Sequence, residues 1–443
     1  MGAAILLVAV LGLPRLTESV IVEGFIWSSF IVLFVSSVLN LGLERATAIV
    51  IGGHQAQRPG GAGAFQSLLT TRLLSLPVTL VAVVVVNAVA RAGLSPETLF
   101  WTTVWTAAVQ VQGVAFAAHR ALGWRTHEPV AALTGRLVQA GLLVTLADAG
   151  TGLATMVAGM ALVDVVVAVI AVRSVRAPSD AAGTSWRGSL DWADLRIFTL
   201  LELLAFAYLR ADALLVARLV DTSAGASYTL MYRIVDAATG LATPFILVLF
   251  PAAAGLVAAG VGVSVTRRRA ARTAPAAGVV VAVGVLLTSV VLIDLVPDLE
   301  DAAPALHLLL AAIPLNFFSA FELHLRSAEG RNAPILVLGG TVLAVNILLN
   351  LWLIPVYGLR GAGAALLLTE CLQAAWILWT GRQSSLAADG VRAFLYGSVL
   401  YLLLIGVAIE HDQVALAAGA GFIGVVATLA WLRPLAPPTE ARA

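Results

Sequence analysis

The chain has 443 residues, 60% of them hydrophobic and only 12% charged, with a formal net charge of +1; its mean hydropathy is +0.97. A soluble domain is roughly 45–50% apolar and about 25% charged, so this chain has too little polar surface to cover a globule and is expected to cross a membrane many times. All 26 basic residues are arginine, which excludes a Walker A loop of its own and a Schiff-base lysine. The single cysteine, Cys371, excludes an internal disulfide and iron–sulfur ligation, and the histidines show no metal-ligand spacing. No cofactor, metal or nucleic-acid partner is expected, and a transporter is favoured over an enzyme.

In chain order, the first apolar run is Ala3 to Leu13. At about 1.5 Å per residue it covers about 17 Å of a roughly 30 Å core. It lacks a basic leader and a small-residue cleavage site, so it reads as the distal part of a short first span rather than a signal peptide. Runs at 25–50, 68–90, 97–118, 129–147 and 151–172 predict five further spans, and those at 195–217, 222–250, 274–293, 304–324, 333–354 and 359–380 predict six more. Runs at 391–409 and 414–432 complete an expected fourteen.

Loop charge sets the expected orientation. With the N-terminus inside, most loop arginines fall on the cytoplasmic side, among them Arg58, Arg120, Arg125, Arg173, Arg326, Arg331 and the Arg267–Arg272 cluster. Arg15, Arg91, Arg218 and Arg360 fall outside, with the acidic loop Asp294, Asp298, Glu300 and Asp301. The positive-inside rule therefore predicts an even span number and two cytoplasmic termini. The arginine cluster reads as a topology determinant, with an anionic-lipid dock as the alternative.

The chain also repeats itself. Arg120 and Arg125 match Arg326 and Arg331, Pro129 matches Pro334, Gly135 matches Gly340, and Asp164 falls on Glu370, at offsets of 205 to 206 residues. The pattern predicts two six-helix bundles related by an axis along the membrane normal, followed by two extra helices. The expected divisions are 1–173 for the first bundle, 174–194 for a cytoplasmic linker, 195–381 for the second bundle, and 382–443 for the last two helices and tail.

The segment leading into the twelfth span runs from Asn350 through Pro355, Tyr357 and Gly358 to Gly361, Gly363 and Ala365, then Thr369 and Glu370. Pro355 is expected to end a helix, Tyr357 to anchor at the headgroups, and Gly361 and Gly363 to let the next helix start close to its neighbour. This stretch resembles the "N-L-x-L-I-P-x-Y-G-x-x-G-A-A" passage of the Wzx-like polysaccharide flippases, in the multidrug/oligosaccharidyl-lipid/polysaccharide (MOP) exporter superfamily. Leu209 to Asp212, Ala224 to Tyr228, and Tyr232-Arg233 resemble the "R-x-D…A-x-G-x-Y…Y-R" passage of that family. Leu41 to Arg45 resembles the close of its second helix. The arginine-rich start of the peptidoglycan lipid II flippases is not recognised here. The resemblance implies an all-α flippase in the inner cell membrane working by alternating access. Its cargo would be a polyprenyl-diphosphate-linked oligosaccharide, with membrane lipids and polysaccharide assembly proteins as partners.

Charges inside the spans carry the functional reading, because a buried charge costs at least about 2.5–3.5 kcal/mol and should face a cavity or a partner. Arg keeps its charge and binds phosphate oxygens bidentately. Arg210, Arg233, Arg136 and Arg45 are therefore the candidates to line a cationic path between the bundles and receive a pyrophosphate. Asp212, Asp236, Glu202, Asp164 and Glu370 are candidates for coupling to H+ or Na+, or for structural pairing. Asp164 and Glu370 lie about 20 and 17 Å from the outer ends of their helices, near mid-bilayer. Arg233 and Asp236, three apart, can pair on one helix face, whereas Arg210 and Asp212 cannot share one. Arg72 lies near a span end and is expected to snorkel. Trp101, Trp105, Trp376 and Trp379 are expected at interface belts, with sugar stacking as the alternative. The rival functions are a cation-coupled multidrug exporter, a membrane glycan polymerase or glycosyltransferase, and a scaffold.

Overall fold

The computed structural model describes residues 10, 12–39, 61–122, 127–175, 192–242, 246, 264–295, 303–380, 399, 404 and 406. Every element among the described residues is helical. A 3-10 turn, Leu13–Arg15, precedes α1 (Ser19–Val38). Then come α2 (Gly61–Leu74), α3 (Leu76–Ala90), α4 (Pro96–Ala121), α5 (His127–Asp148) and α6 (Leu153–Ser174). They are followed by α7 (Trp192–Leu219), α8 (Thr222–Thr239), α9 (Ser264–Leu295), α10 (Ala303–Ala328), α11 (Asn332–Tyr357) and α12 (Leu359–Thr380). Among the described residues, 6 helices are long and apolar enough to cross a membrane, or 7 if the bent pair α2–α3 is one span. This is a multi-pass membrane protein. Most of the N-terminal run and the two C-terminal runs lie outside the described residues, as does the passage from Leu41 to Arg45.

Local chemistry explains the boundaries. α1 starts at Ser19, six residues before the expected span, because the apolar run Val20 to Val22 tolerates one half-buried carboxylate, Glu23. The predicted third span is two helices, Phe65–Leu74 and Leu76–Ala90, meeting at 44°. Pro77, in the first turn of α3, has no N–H to continue the ladder across the break. Ser95 caps α4, accepting the Thr98 N–H at 3.2 Å with Pro96 at the first helical position. Pro355 does not end α11 at once, but only two further residues, Val356 and Tyr357, follow it in the helix. The chain reverses at Gly358, whose φ of +57° favours glycine. A Cβ on Gly361 would run into the Leu353 carbonyl, so α11 and α12 meet closely there, as expected from the sequence. Tyr357 is 61% exposed, which suits a headgroup anchor.

The chain divides into two compact units, Met1–Thr229 and Leu230–Ala443, with the division inside α8. In unit 1, α6 packs between α4 and α5, while α1 contacts α3, α4, α6 and α7. α7 also packs on α3. In unit 2, α12 packs between α10 and α11, and α9 lies along α10. The triads α4–α6 and α10–α12 thus share one arrangement. α4 and α10 each have 26 residues, α6 and α12 each have 22.

The register of the repeat follows from the helix starts. α10 begins 207 residues after α4, α11 205 after α5, and α12 206 after α6. In the first pair this shifts the sequence match by one residue, so that His119 rather than Arg120 corresponds to Arg326. A shared contact supports the shift. His119 Nε2 lies 3.0 Å from Ser174 Oγ in unit 1, and Arg326 Nη1 donates to Thr380 Oγ1 at 2.8 Å in unit 2.

Candidate functional site

In unit 1 the polar centre of the α4–α6 triad is Asp164, 3% exposed. Trp105 Nε1 donates to its Oδ2 at 2.6 Å, Gln139 Nε2 to Oδ2 at 2.9 Å, and Gln112 Nε2 to Oδ1 at 2.9 Å. Arg136 Nη1 stands 3.6 Å from Oδ2 and also donates to Gln139 Oε1. Gln139 reaches the Met160 carbonyl at 3.2 Å, and Gln112 the Asp164 carbonyl at 2.7 Å. A carboxylate has about four acceptor positions. Three N–H donors and a guanidinium surround these positions, and the cluster ties α4, α5 and α6 together. Trp105, expected at a belt, is 3% exposed because its N–H finds this partner.

The equivalent carboxylate in unit 2 is Glu370, 1% exposed. Asn316 Nδ2 donates to its Oε1 at 3.1 Å. Beside it, Thr369 hydroxyl bonds back to the Ala365 and Leu366 carbonyls at 2.8 Å. Asn346 reaches Thr369 Oγ1 at 3.4 Å, and Asn350 Nδ2 donates to Asn346 Oδ1 at 3.0 Å. The repeat register puts Ala312, Ser319, Thr341 and Ala344 at the positions of Trp105, Gln112, Arg136 and Gln139. None of these brings an indole, amide or guanidinium.

A second polar cluster lies toward the Arg-rich end of unit 2. Arg267 Nε is 3.1 Å from Glu322 Oε1 and Arg267 Nη2 is 2.7 Å from Glu329 Oε2. Arg326 Nε is 3.2 Å from Glu322 Oε1, one turn away on the same helix. Arg326 Nη2 donates to the Ile377 carbonyl at 2.9 Å, and its guanidinium lies 5.2 Å from the Trp376 ring centroid. Arg267 and Arg326, read from the sequence as loop charges, are buried helical residues that join α9, α10 and α12. Trp376, half-buried, is engaged by this cation. Trp379, 65% exposed, fits the belt.

The other expected site residues divide by unit. In unit 1, Asp212 is fully buried on α7, accepting from Tyr228 Oη at 2.7 Å and from the Ala213 N–H at 3.0 Å. Arg210, two residues earlier and 9% exposed, stacks over Phe206 at 5.6 Å. Phe206 in turn meets Phe34 on α1. Asp212 faces α8 and Arg210 an aromatic cluster, as their spacing requires. Arg72 does not snorkel: it is 2% exposed and donates to the Leu39 carbonyl at the end of α1 at 2.6 Å. In unit 2, Arg233 and Asp236 are half-buried on α8. Glu202 lies on α7, but its side chain is outside the described residues, as is all of Arg45. Among the described residues no group of His, Cys, Asp and Glu could hold a metal ion.

No family model and no curated protein matches the sequence. Solved structures do match. A lipid II flippase, MurJ, in an inward closed conformation superposes with a TM-score of 0.71 at 13% identity, over 97% of this chain and 96% of its own. The chain has the fold of this flippase. A MATE multidrug transporter, DinF-BH, gives 0.61 at 14% identity over 87% of this chain and 93% of its own. An inward-facing multidrug resistance MATE transporter of the MOP superfamily gives 0.58 at 15%, over 88% and 95%. The expected fold class, an all-α polytopic membrane protein in two lobes, is therefore the observed one among the described residues. These neighbours are transporters, and at such identities the likeness is one of fold.

Proposed function

We propose that this protein is a flippase that moves a polyprenyl-diphosphate-linked oligosaccharide from the inner to the outer leaflet by alternating access, for cell-surface polysaccharide assembly. The observation that carries this reading is the extent of the MurJ superposition, 97% of the chain at a TM-score of 0.71. The MATE multidrug transporters superpose over less of it. Chain chemistry agrees. A diphosphate entering hydrocarbon needs permanent cations, and all the basic residues are arginine. Arg210 and Arg233 are the arginines assigned to that head group, and Arg45 is a further candidate from the sequence. Arg136 is assigned instead to holding Asp164.

The carboxylates divide in the same way. Asp164, held by three donors and Arg136, is assigned a structural role. Glu370, Asp212, Asp236 and Glu202 remain the coupling candidates for H+ or Na+. Both termini are placed in the cytoplasm, from the arginine asymmetry of the loops.

Depletion in the native host, followed by lipid extraction, tests the class. Lipid-linked saccharide should accumulate on the cytoplasmic face, and its mass would identify the glycan. Cells that instead retain cationic dyes would support the second reading, a cation-coupled multidrug exporter, which the MATE neighbours favour. Arg210→Ala and Arg233→Ala should each abolish transport at normal abundance; normal transport in both would remove the cationic path.

A further inference from the structure

Unit 1 has a cavity of about 690 Å³ between α5 and α6, reaching α4 at one end. This volume is in the range of small-molecule sites, about 300–1,000 Å³. Its walls are apolar: Val130, Val138, Leu162, Val166 and Ile170 line it, and each is more than half exposed on the outward side. Only 22% of the α5 span is buried against the protein, the smallest share among the described spans, so the mouth faces the hydrocarbon of the bilayer. An apolar cavity of this kind is not filled by water. One end differs in character. His119 and Ser174 line it there, 3.0 Å apart, with His119 only 1% exposed. Next to them in sequence are Arg173, exposed in the last turn of α6, and Arg120, paired with Glu128.

An apolar slot that opens to lipid and ends at a hydroxyl and an imidazole, with an exposed arginine next in sequence to that hydroxyl, has the polarity of a phospholipid in one leaflet. We infer that this groove seats one acyl chain of an anionic phospholipid, with the headgroup held at Ser174, His119 and Arg173. The site is separate from the residues assigned to transport, and it does not depend on which cargo the protein carries. It would tie α5 to α6 through a resident lipid, and α6 also carries Asp164, close in sequence to the lining residue Val167.

The test uses the full-length protein in nanodiscs containing phosphatidylglycerol or phosphatidylcholine with a diazirine on one acyl chain. After photolysis, adducts are mapped by peptide mass spectrometry. Adducts should concentrate on 130–138 and 162–170 and be about tenfold more abundant with phosphatidylglycerol. Thr134→Trp, at an exposed position on the groove wall, should remove them at unchanged thermal stability, and Arg173→Gln should abolish the headgroup preference. Val138→Trp serves the same purpose should Thr134→Trp fail to fold. Labelling spread evenly over lipid-facing helices, such as the Trp352 face of α11, and insensitive to both tryptophan variants would overturn the proposal. So would labelling of the groove only by a diazirine-bearing polyprenyl phosphate.

Discussion

Units 1 and 2 use one helical triad in two ways. In both, the third helix packs between the first two and carries a buried carboxylate at mid-length, Asp164 on α6 and Glu370 on α12. Around Asp164 the fold brings Trp105, Gln112, Gln139 and Arg136. At the matching positions unit 2 has two alanines, a serine and a threonine, and Glu370 is met from α10 by Asn316. The charged load moves to the end of the triad in unit 2. There Glu322 binds Arg267 and Arg326, where unit 1 has the His119–Ser174 contact. The triad geometry therefore does not depend on any one polar centre. It rests on helix length, small-residue contacts and apolar packing, so each unit can place its charges where its own task requires.

The largest break in this comparison is expected from Asp164→Ala. It would leave a guanidinium and three N–H donors without their shared acceptor, a loss of about 3–5 kcal/mol. A lower thermal unfolding midpoint in detergent and a reduced membrane yield would register it; an unchanged midpoint would remove the structural role of Asp164. Glu322→Ala should cost less, about 2–3 kcal/mol, since Arg267 keeps Glu329 and Arg326 keeps Thr380 and Ile377. Adding Arg267→Ala to Glu322→Ala should then cost less than the sum of the two single losses, a coupling readable in a double-mutant cycle. Glu370→Gln should cost no more than about 1 kcal/mol, because the amide oxygen still accepts from Asn316. Transport should nevertheless fall steeply if Glu370 couples to an ion. A variant that transports normally would return Glu370 to the structural class.

Much of this was legible in the sequence, and the reasons for the rest are physical. Long apolar runs fix the helices, and the spacing of Pro129, Gly135, Pro334 and Gly340 fixes the repeat. Depth along a helix was enough to single out Asp164 and Glu370. The partners of Asp164 were not legible, because Trp and Gln carry no charge and lie inside apolar runs. One signal was present: Trp105 and Gln112 are seven residues apart and share a helix face. Arg267 and Arg326 were misplaced for a related reason. A charge in the first turn of a helix, as Arg267, or in the last, as Arg326, looks like a loop charge until a neighbouring helix covers it. Glu322 escaped notice because it lies near the end of its run. The bend between α2 and α3 depends on Ser75 and Pro77, which an average over apolar residues smooths away.

The most specific expected effect is confined to stability. Trp105→Phe keeps the ring packed against Phe25, whose centroid lies 6.2 Å away, and removes only the N–H bonded to Asp164 Oδ2. Gln112, Gln139 and Arg136 would still hold the carboxylate, so stability should fall by about 1.5 kcal/mol, the low end of what a hydrogen bond to a charged group contributes, with transport intact. The same substitution in an Asp164→Asn background should cost less, because the charge that strengthened the bond is gone. If the two losses simply add, Trp105 acts by packing alone. The polar centre of unit 1 would then reduce to its two glutamines and Arg136.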